Sequence, residues 1–219
     1  IPIENINNLG EKIIQDHIQD VDTTKRPFIC RGENGAIYKA ETIIICTGAQ
    51  AKWLGIESET KFRGFGVSGC ATCDGFFFRG LEVAIVGGGD TAMEEANYLT
   101  RFATKVHVIH RRDQLRASKI MQERAMNNPK ISFIWNSAVE EVLGKEENGR
   151  KSVTGIRLKN FKTGDTSEMK LDGLFVAIGH QPNVSLFKGQ IDIDEKDYIK
   201  VQFGTATNIP GVFASGDVM

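Results

Sequence analysis

The chain has 219 residues, 41 % of them hydrophobic and 25 % charged. These values exclude disordered, collagen-like and coiled-coil classes and leave room for one large or two small domains. Its 27 Lys and Arg against 28 Asp and Glu give a net charge of −1, so no global field draws it to nucleic acid or an acidic membrane surface. The longest aliphatic stretch, Ile43-Ile44-Ile45, is far shorter than the roughly 18 residues that cross a bilayer.

No charged-then-apolar leader is evident, and four cysteines are too few for a disulfide scaffold, so a reducing, cytoplasmic setting is expected. A start at Ile1 and a stop at Met219, directly after a functional-looking turn, read as a fragment or a processed chain.

In chain order, residues 12–22 fit either a helix or a strand, because Ile14, Ile18 and Val21 match a 3.6 period while Ile14, Asp16 and Ile18 share one strand face. Strands at 28–30 and 37–39, joined through Glu33-Asn34-Gly35, form a hairpin, and a buried strand over 41–46 ends at Thr47-Gly48. Residues 49–52 read as a linker. A loop over 64–69 leads into Cys70-Ala71-Thr72-Cys73-Asp74-Gly75. Strand 81–86, a glycine turn, helix 91–101 and strand 105–109 compose one βαβ unit. A helix over 114–126 stops at Asn127-Asn128-Pro129. Strands at 131–135, 139–143, 152–160 and 170–178 read as an antiparallel meander. A second linker follows at Gly179-His180-Gln181-Pro182, then short strands at 199–201 and 212–214.

Gly87-Gly88-Gly89-Asp90-Thr91-Ala92 fits G-x-G-x-x-A between a strand and a helix, the context in which backbone N–H groups and a helix dipole hold a pyrophosphate. The bland alternative is a glycine turn that only packs a helix on a strand. The second strand of such a unit ordinarily ends in an acid for the ribose 2′-OH of NAD. Here it ends in His110-Arg111-Arg112, with Arg116 beyond. Cations in place of the acid suit a 2′-phosphate and select NADP over NAD; alone, they would be a solvated basic helix start.

Cys70 and Cys73 have the spacing of a redox dithiol, and at a helix start a thiolate is favoured. Half a zinc site is the competing idea, but Cys30 and Cys46 lie on predicted strands and the four His make no matching pair, so no metal is expected. Asp74 could move the proton that thiol exchange needs, or cap a helix. Cys30 and Cys46 are expected as buried small apolar residues.

These motifs, with Glu94-Glu95-Ala96, Phe175-Val176-Ala177-Ile178-Gly179-His180 and Gly211-Val212-Phe213-Ala214-Ser215-Gly216-Asp217-Val218, stand in the order and spacing of the low-molecular-weight, bacterial-type thioredoxin reductases, which the chain resembles. The resemblance implies a Rossmann-like α/β NADPH domain with an antiparallel meander (49–179), inserted into part of an FAD-binding α/β domain (1–48 and 180–219). It implies electron flow from NADPH to FAD, to the Cys70/Cys73 disulfide and to thioredoxin. Cys73 would lie nearest the flavin, Cys70 would be its partner and Asp74 the acid/base. Gly87, Gly88, Gly89, Asp90 and Thr91 would hold the pyrophosphate, and His110, Arg111, Arg112 and Arg116 the 2′-phosphate end. Thr47, Gly48 and Asp217 would touch FAD. A homodimer is implied, as are hinges at both linkers that let the dithiol face flavin and thioredoxin in turn. The family's own N-terminal FAD motif is missing from the 219 residues, so the isolated chain is expected to bind NADPH and to hold flavin weakly. A related alternative is the flavoprotein subunit of alkyl hydroperoxide reductase, whose cysteine pair encloses bulkier residues; another is a non-catalytic NADP-binding module.

Overall fold

The computed structural model describes residues 12–219, so the opening part of the expected 1–48 segment, residues 1–11, lies outside the described residues. The chain divides into two compact units, one from 1–50 with 181–219 and one from 51–180.

The ambiguous opening resolves as strand: β1 (Ile18–Asp22) pairs antiparallel with β2 (Phe28–Gly32), which turns through Gly35 into β3 (Ile37–Ala40). Alternation decides it, since Val21 and Phe28 point inward and are 3 % and 2 % exposed. β4 (Ile43–Ile45) follows, then β5 (Ala49–Ala51), where a linker is expected from sequence.

The 51–180 unit contains α1 (Glu57–Phe62), β6 (Val67–Ser68), α2 (Ala71–Asp74), a 3₁₀ turn (Gly75–Phe78), β7 (Glu82–Gly87), α3 (Asp90–Leu99), β8 (Lys105–Ile109), α4 (Lys119–Met126), β9 (Ile131–Ile134), β10 (Ser137–Glu147), β11 (Arg150–Asn160), β12 (Thr166–Lys170) and β13 (Gly173–Ala177). A five-stranded parallel sheet in the order β6-β13-β7-β8-β9 forms its centre. Its middle strands are continuous apolar runs because both faces are covered. Val83 and Ile85 pack towards Met93, Ala96 and Leu99 of α3. Ala84 and Val86, on the other face, pack with Val142, Ile156 and Leu158 of a three-stranded antiparallel sheet, β10-β11-β12.

The meander is therefore shorter than the sequence pattern suggests. The expected strand over 170–178 breaks at Leu171-Asp172-Gly173: the Asp172 N–H donates to the Glu82 carbonyl, and β13 enters the parallel sheet beside β7. Gly173 is required there, since a Cβ would lie 2.2 Å from the Phe78 ring. Likewise β9 is the parallel edge strand, and the helix expected from 114 begins at Lys119.

β14 (His180–Pro182) pairs with β5. β15 (Val212–Ala214) lies parallel to β4; the strand expected at 199–201 is a single bridge from Ile193 to Ile199. Val21, Phe28, Ile45, Phe187, Val212 and Val218 belong to the core of this unit.

Candidate functional site

A cavity of about 500 Å³ opens at the C-terminal end of β7, lined by Gly87, Gly88, Gly89 and Thr91 together with Arg111 and Arg116. The three glycines have three different reasons. A Cβ on Gly87 would lie 2.5 Å from both the Ala177 carbonyl oxygen and the Ala92 Cβ, so this glycine and Ala92 let α3 close on the sheet. On Gly88 it would strike the His110 ring at 2.3 Å. On Gly89 it would meet no protein atom within 4 Å: the backbone there borders open space at the α3 N-terminus, where no side chain caps the first turn. Uncapped N–H groups with the positive end of a helix dipole behind them are what a pyrophosphate needs.

The segment after β8 is folded back onto this turn. Gly88 O accepts hydrogen bonds from the N–H groups of Arg116 at 2.7 Å and Ala117 at 3.1 Å. The Asp90 carboxylate accepts from Ser118 N–H and Oγ, each at 2.8 Å, and these bonds hold its pKa below the ordinary carboxylate value. That double tether replaces the first turn of the expected helix and carries Arg116 to the cavity. Arg111, Arg112 and Arg116 are all exposed, and Arg111 and Arg116 line the cavity. His110 is different: it is only 6 % exposed, its Nε2–H donates to the Gln114 carbonyl at 3.0 Å, and burial lowers its pKa. It is a neutral ring beneath the glycine turn, bracing the arginine loop.

Sequence reasoning missed another part of the cavity lining. Trp53 lines it, with the Arg63 guanidinium carbon 3.9 Å from its ring centroid. Fully buried Glu59 accepts from Leu54 N–H at 2.8 Å and Gly55 N–H at 3.0 Å and ion-pairs with Arg63 at 3.4 Å. The only signal was the i, i+4 spacing of Glu59 and Arg63.

Cys70 and Cys73 form a disulfide. Cys70 caps α2, its Sγ accepting from Cys73 N–H at 3.2 Å, while its own N–H donates to Ser68 Oγ at 3.0 Å. Ala71 is fully buried in the same core cluster as Ala92, Met93 and Ala96, whereas Cys73 is exposed. Asp74 is half-buried and lines a separate cavity with Lys151 and Asp172. Beyond it Phe78 packs edge-on against Phe175, centroids 5.2 Å apart, while Phe76 and Phe77 remain 60 % and 74 % exposed. Cys46, just past the end of β4, is exposed, contrary to its expected burial, and Cys30 is only partly buried, packed against the edge of the core that holds Val21 and Phe28.

In the other unit, Thr47-Gly48 and Ser215-Gly216-Asp217 follow the C-terminal ends of the adjacent parallel strands β4 and β15. Gly48 and Gly216 have φ of +66° and +81°, with nothing within 4 Å of an added Cβ. Thr47 Oγ1 donates to the Asn183 carbonyl at 2.7 Å, Asn183 Nδ2 donates back to the Thr47 carbonyl at 2.9 Å, and Asp217 is exposed. Open backbone at parallel strand ends is where α/β sheets take ligands.

A family pattern, pyridine nucleotide-disulphide oxidoreductase, matches residues 2–219. The chain belongs to that family. It is an NADPH-dependent flavoprotein disulfide oxidoreductase with FAD and NADPH as its cofactors. It is 54 % identical over 212 residues to the thioredoxin reductase of Rickettsia prowazekii, covering 96 % of this chain and 68 % of that protein. It is 48 % identical over 218 residues to that of Coxiella burnetii, covering 96 % and 67 %. Among solved structures, the thioredoxin reductase of Lactococcus lactis superposes with a TM-score of 0.80 at 38 % identity, over 98 % of this chain and 69 % of that one.

Proposed function

We propose that the chain reduces the disulfide of thioredoxin, with Cys70 and Cys73 as the redox pair and Asp74 as the acid/base. The observation that carries this is the Cys70–Cys73 disulfide, seated in the same unit as a glycine-turn cavity bordered by arginines. NADPH, when bound, supplies a hydride, and FAD carries the electron pair to sulfur. Gly87, Gly88, Gly89 and Thr91 receive the pyrophosphate, while Asp90 and His110 hold the arginine loop in place. Arg111 and Arg116, with Arg112 beside them, pair with the 2′-phosphate. Thr47, Gly48 and Asp217 border FAD at the ends of β4 and β15. In this proposal residues 49–179 are the NADPH-binding domain, and 1–48 with 180–219 belong to the FAD-binding one.

Reduction breaks the S–S bond and leaves a thiolate whose negative charge is favoured at Cys70, where Sγ already accepts the Cys73 N–H. Exposed Phe76 and Phe77 beside the disulfide helix give a protein substrate an apolar face to cover. Homodimeric assembly and a cytoplasmic setting belong to the same proposal, supported by the family resemblance. Among the described residues no helix is long and apolar enough to cross a membrane.

The test is NADPH-dependent thioredoxin reduction by the full-length protein. Cys70→Ser and Cys73→Ser should each abolish turnover while leaving retention on immobilised 2′,5′-ADP intact. Turnover surviving in either variant refutes the assignment.

A further inference from the structure

Glu95 lies on α3, one helical turn beyond Thr91, and its carboxylate faces the Ala71 N–H inside the Cys-x-x-Cys loop, which favours its charged form. Its Oε2 is fully shielded from solvent and has no hydrogen-bond partner. A shielded carboxylate oxygen left unpaired is costly and calls for a reason. Nothing in nucleotide binding uses it. Asp74 lines a different cavity, so the short disulfide helix has an acid of its own and another contributed by the helix it packs on.

We propose that Glu95 is a positioning residue for the Cys70–Cys73 couple, holding the Ala71 N–H in the disulfide form and accepting a proton when the disulfide is reduced. This rests on the disulfide-reductase proposal above. Reduction of the S–S bond takes two electrons and two protons. A hydride from NADPH, passed on through the flavin, brings both electrons and one proton, and the other proton comes from solvent. One sulfur becomes a thiol; the second proton resides on Glu95, so the other sulfur stays a thiolate and no second negative charge accumulates beside it.

The surroundings suit that role. Burial pushes Glu95 up to about 7; the Ala71 N–H opposes the shift and the charge of Glu94 adds to it. The elements packed on α3 are α2, α4, β7, β8 and β13. Their ionisable groups are Asp74 on α2, Lys119, Glu123 and Arg124 on α4, Glu82 on β7, and Lys105 and His107 on β8; β13 has none. Of the ionised side chains, Glu94 on α3 itself is the one that acts on Glu95. Among the described residues no cation neutralises it, so a thiolate forming next to Ala71 raises its proton affinity further.

The experiment equilibrates the full-length protein and its Glu95→Gln variant with reduced and oxidised dithiothreitol at pH values from about 6 to about 9, scoring free thiols by alkylation and mass. Dithiothreitol releases two protons per disulfide reduced, so the exchange constant is flat with pH when the protein also takes up two. The parent constant, divided by that of Glu95→Gln, should fall about tenfold across the range, the equivalent of one pKa unit between redox states. Parallel profiles, merely offset, would mean a structural role only and overturn the inference. Should Glu95→Gln not fold, a reduced-minus-oxidised infrared spectrum of the unmodified protein near neutral pH must show a new protonated-carboxyl band; its absence also overturns the inference. Neither failure touches the disulfide-reductase assignment, which falls only if the cysteine variants keep their turnover.

Discussion

Two helix starts in the 51–180 unit use the same physics for opposite purposes. α3 begins at Gly89, with ten residues of aligned peptide behind it, no side-chain cap and open space in front. α2 is four residues long and its start already meets acceptors of its own, the Cys70 sulfur bonded by Cys73 N–H and the Glu95 carboxylate facing Ala71 N–H. The first arrangement leaves donors for an anion that arrives from outside. The second supplies its own anion acceptors, which suits a charge generated in place by breaking a bond. Binding and redox chemistry thus differ here by what occupies the N-cap position, glycine or cysteine.

The sharpest way to break that contrast is to add one methyl group at each of two glycines. Gly89→Ala meets no protein atom and has an ordinary φ of −96°, so it should leave the melting temperature unchanged. Its methyl would stand where the pyrophosphate approaches, weakening NADPH binding by roughly 100-fold through the loss of charge-assisted bonds of about 1.5–3 kcal/mol each. Gly87→Ala should do the reverse, destabilising the unit by about 1–3 kcal/mol through overpacking against Ala177 and Ala92. Calorimetric titration and thermal unfolding on both variants separate the two outcomes; a Gly89→Ala protein with parental NADPH affinity would remove the pyrophosphate from this turn.

A smaller effect is expected at the arginines. Arg116→Ala should raise the Kd for NADPH by about 10-fold and leave that for NADH within about 2-fold, since only the 2′-phosphate is lost as a partner. Equal losses for both nucleotides would move the phosphate contact elsewhere. Arg112→Ala, exposed and outside the cavity lining, should have the weaker effect of the two.

Much of this was legible from sequence because the signals were local. The G-x-G-x-x-A turn, the strand at 105–109 and the hairpin through Gly35 depend on neighbours in the chain. What was hidden depends on partners far away. Residues 114–118 carry apolar Leu115 and Ala117, compatible with a helix, yet Gly88 and Asp90 pull that segment into a loop through backbone and serine bonds. Residues 173–177 read as the last strand of a meander, but their unbroken apolar run, Leu174 to Ala177, was the mark of a strand buried on both faces. Glu95 entered only within the Glu94-Glu95-Ala96 motif and with no role of its own: it follows Glu94 in a helix, and only the packing of α2 on α3 distinguishes a shielded carboxylate oxygen from its exposed neighbour.

The mildest prediction sets the same two regions against each other through pH. His110 beneath the glycine turn, together with His107 in β8, is held neutral by burial, with pKa values lowered from 6.5. The stability these imidazoles contribute is present above about pH 6.5 and is lost as pH falls through their folded pKa values. Glu95 beneath the disulfide has the opposite sign. Raised from 4.5 to about 7, it favours the fold fully below its unfolded pKa, and that contribution disappears as pH rises through about 7. Replacing Glu95 by Gln removes the alkaline loss without touching the acid one. The melting temperature of Glu95→Gln should therefore match the parent at about pH 4 and exceed it by about 2–4 °C at pH 8, with the disulfide intact in both proteins. A gain of equal size at both pH values would show that the carboxylate charge is not what the α2–α3 packing resists.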